Sequence, residues 1–175
     1  MIDGAEHLRT LFTVFHDGSI TAADLVAGTL RLSIEIRYLA ERINPGYTSF
    51  QVTLHEVSGL SLRPWTNADP VSLHDPADIF AADLEILDCA SDGERLTITC
   101  NQDIADRWGG VLAFQAAAAS VHDEGGRDLS LDELIALATA YWEEWEATNA
   151  ARAAAPAEPP PHPNAQNSGE IDAGF

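Results

Sequence analysis

From Thr29 to Tyr38 the chain alternates without a break. Leu30, Leu32, Ile34, Ile36 and Tyr38 fall on one side, and Thr29, Arg31, Ser33, Glu35 and Arg37 on the other. Successive side chains of a strand point to opposite faces, so this run predicts a strand with one face buried and one wet. Such strands belong to antiparallel sheets, because parallel sheets are covered on both faces.

The neighbouring segments extend the sheet. Ile20 to Val26 is expected to pair with the first run across Ala27-Gly28, and Phe50, Val52 and Leu54 mark another strand. Leu84 to Asp88 and Arg95 to Cys100 read as a hairpin around Ser91-Asp92-Gly93, with Gly93 in the left-handed conformation that glycine tolerates best. That register sets Ile86 against Ile98 and Leu84 against Cys100, and it puts Cys89 on the opposite face from Cys100. Val111 to Val121 reads as one strand of small residues.

Helices flank these strands. Leu8, Leu11, Phe12 and Phe15 form one apolar stripe, with Asp3 and Glu6 as a capping box and Gly18 placed to end the helix. Asp75-Pro76 opens a short helix. Ser130-Leu131-Asp132-Glu133 is a second capping box and starts a helix over about 130–150. Its stripe of Leu131, Leu134, Ile135, Ala138, Tyr141, Trp142 and Trp145 is expected to face the core. The predicted fold is α+β: an antiparallel sheet of about six strands with an N-terminal and a C-terminal helix packed on it. The domain covers 1–150. Residues 151–175 read as an Ala/Pro-rich disordered tail, since Pro159-Pro160-Pro161 and Pro163 stop a helix and favour extended backbone.

Charge limits what such a domain can touch. Nine basic residues, all arginine, face twenty-eight acidic ones, for a net charge of −19. The tail carries only Arg152 against Glu158, Glu170 and Asp172, so the acidity belongs to the folded body. Nucleic acids and anionic lipid surfaces are repelled, and basic partners are attracted. No lysine is present to serve a phosphate loop, so P-loop and kinase-like chemistry are excluded. The start, Met1-Ile2-Asp3-Gly4-Ala5-Glu6, lacks the basic and apolar regions of a secretory signal. The run Val111 to Val121 is too short to span a bilayer. A cytoplasmic location is expected.

Few residues suggest chemistry. The two cysteines lack metal spacing and read as small buried apolar residues. Ser19 and Ser58 lie in no nucleophile motif, and no catalytic residue or cofactor is expected. Acids follow histidines at His16-Asp17, His55-Glu56, His74-Asp75 and His122-Asp123. Together they offer an alternative reading, a metal-binding or enzymatic site in a sheet-lined cleft. Against it, neighbours on a strand point apart, so His55 and Glu56 cannot share one site.

Arg63-Pro64-Trp65 and Arg107-Trp108 each set arginine beside tryptophan on a loop, and both residue types are favoured as interface anchors. Glu143, Glu144 and Glu146 are expected to face solvent on the last helix.

Over 1–150 the chain resembles bacterial toxin-immunity proteins, which are small acidic α+β domains, poor in cysteine and without catalytic motifs. The resemblance rests on size and composition. It implies a non-catalytic domain that holds a basic protein partner through acidic residues and aromatic anchors, here Trp65, Trp108, Arg63, Arg107, Glu143, Glu144 and Glu146.

Overall fold

The computed structural model describes residues 1–66, 70–105 and 107–154. In chain order the elements are β1 (Ile2–Asp3), α1 (Ala5–Val14), β2 (Ser19–Val26), β3 (Thr29–Glu35), α2 (Arg37–Ala40), β4 (Ser49–His55), β5 (Ser58–Pro64), α3 (Pro76–Ile79), β6 (Leu84–Asp92), β7 (Arg95–Ile104), β8 (Arg107–Gln115), β9 (Ala118–Asp123), β10 (Asp128–Leu129) and α4 (Leu131–Ala154). The fold is α+β with an antiparallel sheet, as expected. Among the described residues the sheet has ten strands rather than about six, in the order β1-β9-β4-β3-β2-β6-β7-β8-β5, with β10 also on β9.

The alternating run forms β3, and Leu30, Leu32, Ile34 and Ile36 are all buried. Tyr38 does not continue the strand. The chain turns into α2 after Ile36, and the Tyr38 hydroxyl donates to the His16 carbonyl at 2.9 Å. The β2–β3 hairpin closes across Ala27 and Gly28 as predicted, with φ of 50° and 77°. Two positive φ values match the twist that a two-residue hairpin requires.

Two corners shape the sheet. Only Glu56 and Val57 separate β4 from β5, and only Ala116 and Ala117 separate β8 from β9. Yet β5 and β8 lie at one end of the strand order, and β4 and β9 near the other. Three peptide steps span at most about 10 Å. The sheet must therefore curl until its ends face each other, with strands crossing between the two halves at bends. The expected single strand Val111 to Val121 is thus two strands in different halves, and its run of small residues contains the corner.

Helix α1 fills the space between the halves. Leu8, Leu11, Phe12 and Phe15 are fully buried. Phe12 meets Phe114 of β8 edge-on at 5.9 Å, and Phe15 meets Phe50 of β4 at 5.4 Å. The helix is short, and its start differs from the expectation. Asp3 belongs to β1, and the N-cap is Gly4 at φ 83°, with no side-chain cap. Pairing of Ile2 and Asp3 with Ala119 and Ala118 draws the backbone into the sheet and takes Asp3 out of capping range. At the other end Asp17, not Gly18, takes the left-handed conformation, at φ 66°. Gly18 is instead crowded against the Phe15 carbonyl and Ile34.

The β6–β7 register also differs. Asp92 pairs with Arg95, so the loop is Gly93-Glu94, and Gly93 is left-handed at φ 58°. A bulge between Ile86 and Asp88 then sets Ile86 against Cys100 and Cys89 against Ile98. One extra residue flips the alternation. Both cysteines therefore face the same core, and both are free. Burial pushes each thiol up to about 12, helped by Asp88 near Cys89 and by Cys89 near Cys100.

The thiolate is the reactive form. At pH 8 each native thiol should hold on the order of a thousandfold less thiolate than an ordinary cysteine. A thiol reagent should therefore titrate both cysteines quickly only after denaturant is added. Rapid labelling of the native protein, or a Cys89–Cys100 disulfide in non-reducing buffer, would contradict this packing.

The capping predictions hold for the later helices. Asp75 accepts from the Ala77 amide at 3.0 Å, with Pro76 in the first turn of α3. Ser130 and Glu133 bond reciprocally at the start of α4. These bonds, from the Ser130 amide first and then its hydroxyl, hold the Glu133 carboxyl below its usual range. Helix α4 runs to Ala154. From residue 155 on, the predicted tail lies outside the described residues. No helix among the described residues is long and apolar enough to cross a membrane.

Candidate functional site

Pairing of β5 with β8 brings the two Arg–Trp segments together. Pro64 lies opposite Gly110, and the Trp65 amide donates to the Gly109 carbonyl at 2.8 Å. The Trp65 ring rests on Gly109, where a Cβ would come within 2.9 Å of it and within 2.3 Å of the Cys100 carbonyl oxygen. Gly109 also has φ 149°, which side-chain-bearing residues avoid. The result is a cleft of about 450 Å³, walled by Arg63, Pro64, Trp65, Thr66, Pro70, Trp108 and Val111. Trp108 stands 51% exposed at its edge, and Arg63 is exposed.

Arg107 does not share that role. Its Nη2 donates to the Asp78 carbonyl at 3.2 Å, and its Nε is buried. Burial lowers its pKa more than Asp78 raises it. Trp108 also borders a second hollow, of about 390 Å³, lined by Asp83, Glu85, Gln102 and Asp103. Gln102 is buried and donates to the Ile79 and Ala82 carbonyls at 3.1 and 2.8 Å.

The second aromatic group is on α4. Its stripe was expected to be core, but only Leu134 is fully buried; Ile135, Trp142 and Trp145 are 37%, 39% and 50% exposed. The helix has 24 residues and so extends about 36 Å. Its contacts concentrate in the first half. Tyr141 stacks on Tyr38 at 4.2 Å, and Arg42 lies 5.7 Å over the Tyr141 ring. Arg42 also clamps Glu144 with both terminal nitrogens, at 3.2 and 2.5 Å. Glu143, Glu144 and Glu146 all face solvent as expected, and of the three Glu144 is engaged by Arg42. From Tyr141 the aromatic contacts run outward, to Trp142 at 5.1 Å and on to Trp145 at 5.7 Å.

The histidine–acid pairs do not converge. His16 meets Asp17 at 3.0 Å on an exposed turn. His122 pairs with Asp128 at 2.9 Å rather than with its neighbour Asp123. Asp123 is buried and accepts from the Arg127 amide at 2.9 Å. His74 is exposed, and Asp75 is the cap of α3. His55 is half-buried at the end of β4, while Glu56 forms the corner at φ 55°. Among the described residues no three His, Cys, Asp or Glu side chains are grouped to hold a metal ion. The clefts at the β4–β5 corner, the β5–β8 end, beside Trp108 and between α1 and α4 have no histidine in their walls.

Comparison with known proteins assigns no family: no family model, curated protein or solved structure matches the chain.

Proposed function

We propose that this protein is a non-catalytic binding domain that masks a basic protein partner, in the manner the resemblance to toxin-immunity proteins implies. The observation that carries this reading is the setting of the exposed tryptophans. Trp108, Trp142 and Trp145 are each at least 39% exposed on a body with a large acidic excess. Of the nine arginines, Arg9, Arg31, Arg42 and Arg127 are already paired with carboxylates. The net field of the whole chain is negative, at −19. Such a surface steers a basic partner toward aromatic anchors, which then hold it by burial.

The test is capture of a partner from the native host at low salt, followed by association kinetics across ionic strength. The captured protein should be basic, and its on-rate should fall by about 10–100-fold between low and high salt. Glu143→Gln together with Glu146→Gln should slow association more than it speeds dissociation, because exposed charges act mainly on encounter. An acidic partner, or an on-rate indifferent to salt, would sink the reading.

A further inference from the structure

Between α1 and α4 runs an open groove of about 490 Å³. Its α1 wall is Thr10, Thr13 and Val14, and its α4 wall is Ile135, Thr139 and Trp142. The threonine hydroxyls donate back to the Glu6 and Arg9 carbonyls at 2.9 Å each, which leaves their methyl groups as the apolar part of the wall. Glu143 and Glu146 stand on the α4 side, and no ion pair among the described residues engages either. The groove is apolar along its length and acidic on one rim.

We infer that this groove binds an amphipathic helix of the partner, one with an apolar stripe flanked by lysine or arginine. The inference rests on the protein-binding reading above and names the surface and the shape of what it takes. Three observations select the occupant. First, both walls are helices whose backbone groups are already bonded within them, so an extended segment would find no strand edge to pair with. A helix arrives with its own backbone satisfied and lays side chains into the groove between two others. Second, the rim charges are unneutralised carboxylates, so the flank that meets them is cationic. Third, a second copy of this chain is disfavoured. Pairing two such faces would set Glu143 and Glu146 against their equivalents on a protein of net charge −19.

A direct test uses the full chain and a designed peptide of about five helical turns, with leucines on one face and lysines on its flanks. One control peptide carries glutamate in place of lysine, and another has the leucines scrambled off the stripe. The parent peptide should bind at low salt and neither control should. Trp142→Ala and Thr139→Trp should each weaken binding at least about tenfold, the first by removing the anchor and the second by filling the groove. Both positions are exposed enough that each variant should stay folded, with a cooperative thermal transition within a few degrees of the parent. Amide and indole NMR shifts should change at Thr10, Thr13, Thr139 and Trp142.

Equal binding by the charge-inverted peptide, no binding of the parent peptide, or full binding by both folded variants overturns the inference. Shifts centred on Trp65 and Trp108 would overturn it too, but would leave the protein-binding reading standing at the other surface.

Discussion

Replacing Phe12 by alanine should destabilise the protein by about 3–5 kcal/mol. Phe12 is fully buried on α1, the helix enclosed by both halves of the sheet, and its ring meets Phe114 edge-on at 5.9 Å. Truncation removes the burial of the ring and leaves a cavity that neither half can collapse to fill, because two-residue corners fix their separation. At this chain length each kcal/mol moves the melting temperature by about 2–4 °C, so a fall of roughly 6–20 °C is expected. Thr13, the next residue, is exposed, and Thr13→Ala should change stability by about 0.5 kcal/mol or less. Chemical denaturation of both variants checks the contrast. A loss under about 1 kcal/mol for Phe12→Ala would mean that α1 is not enclosed as described.

Gly109→Ala should cost about 2–5 kcal/mol, although it adds one methyl group. The new Cβ would sit 2.3 Å from the Cys100 carbonyl oxygen and 2.9 Å from the Trp65 ring, on a backbone at φ 149°. The carbonyl belongs to β7 and cannot yield without disturbing the β7–β8 pairing of Cys100 with Gly110. Trp65 can yield by leaving its seat. The variant should therefore show a shifted tryptophan emission along with its lower unfolding midpoint. Gly93→Ala provides a comparison, since at φ 58° it carries backbone strain but its Cβ meets nothing within 4 Å. If the two variants lose the same stability, crowding at Gly109 contributes nothing.

What could be read from the sequence was local. The alternation of β3, the Ala27-Gly28 hairpin, the α1 stripe and the caps at Asp75 and Ser130 each depend on residues a few positions apart. What could not be read depends on distant pairing. Nothing within Val111 to Val121 marks a corner, because alanine suits either a strand or a bend there. The bulge near Leu87 has no composition of its own, yet it moves Cys89 to the face of Cys100. The meeting of Arg63 and Trp65 with Trp108 needs the β5–β8 pair, which joins segments far apart in the chain.

The α4 stripe misled for another reason. Its period is right for a core helix, but it does not continue: after Trp145 the same face carries Asn149 and Arg152. That fading is the one signal in the sequence that the tryptophans are exposed rather than core.

The place of β9 has a consequence for how the chain is made. It lies between β1 and β4, and it is the strand on which Ile2 and Asp3 pair. At ribosomal rates of about 5–20 residues per second, roughly 6–23 s pass between synthesis of the first strand and of its partner. From completion of β4 at His55 until β9 begins at Ala118, about 3–13 s at the same rates, one side of β4 has no neighbour, and Phe15 can meet Phe50 while Phe12 still lacks Phe114. The nascent chain therefore exposes an open strand edge and part of an apolar helix until its last third emerges. Such pairing is also entropically slow to close. A cell making this protein in quantity would depend on a chaperone at the exit tunnel more than the size of the finished domain suggests.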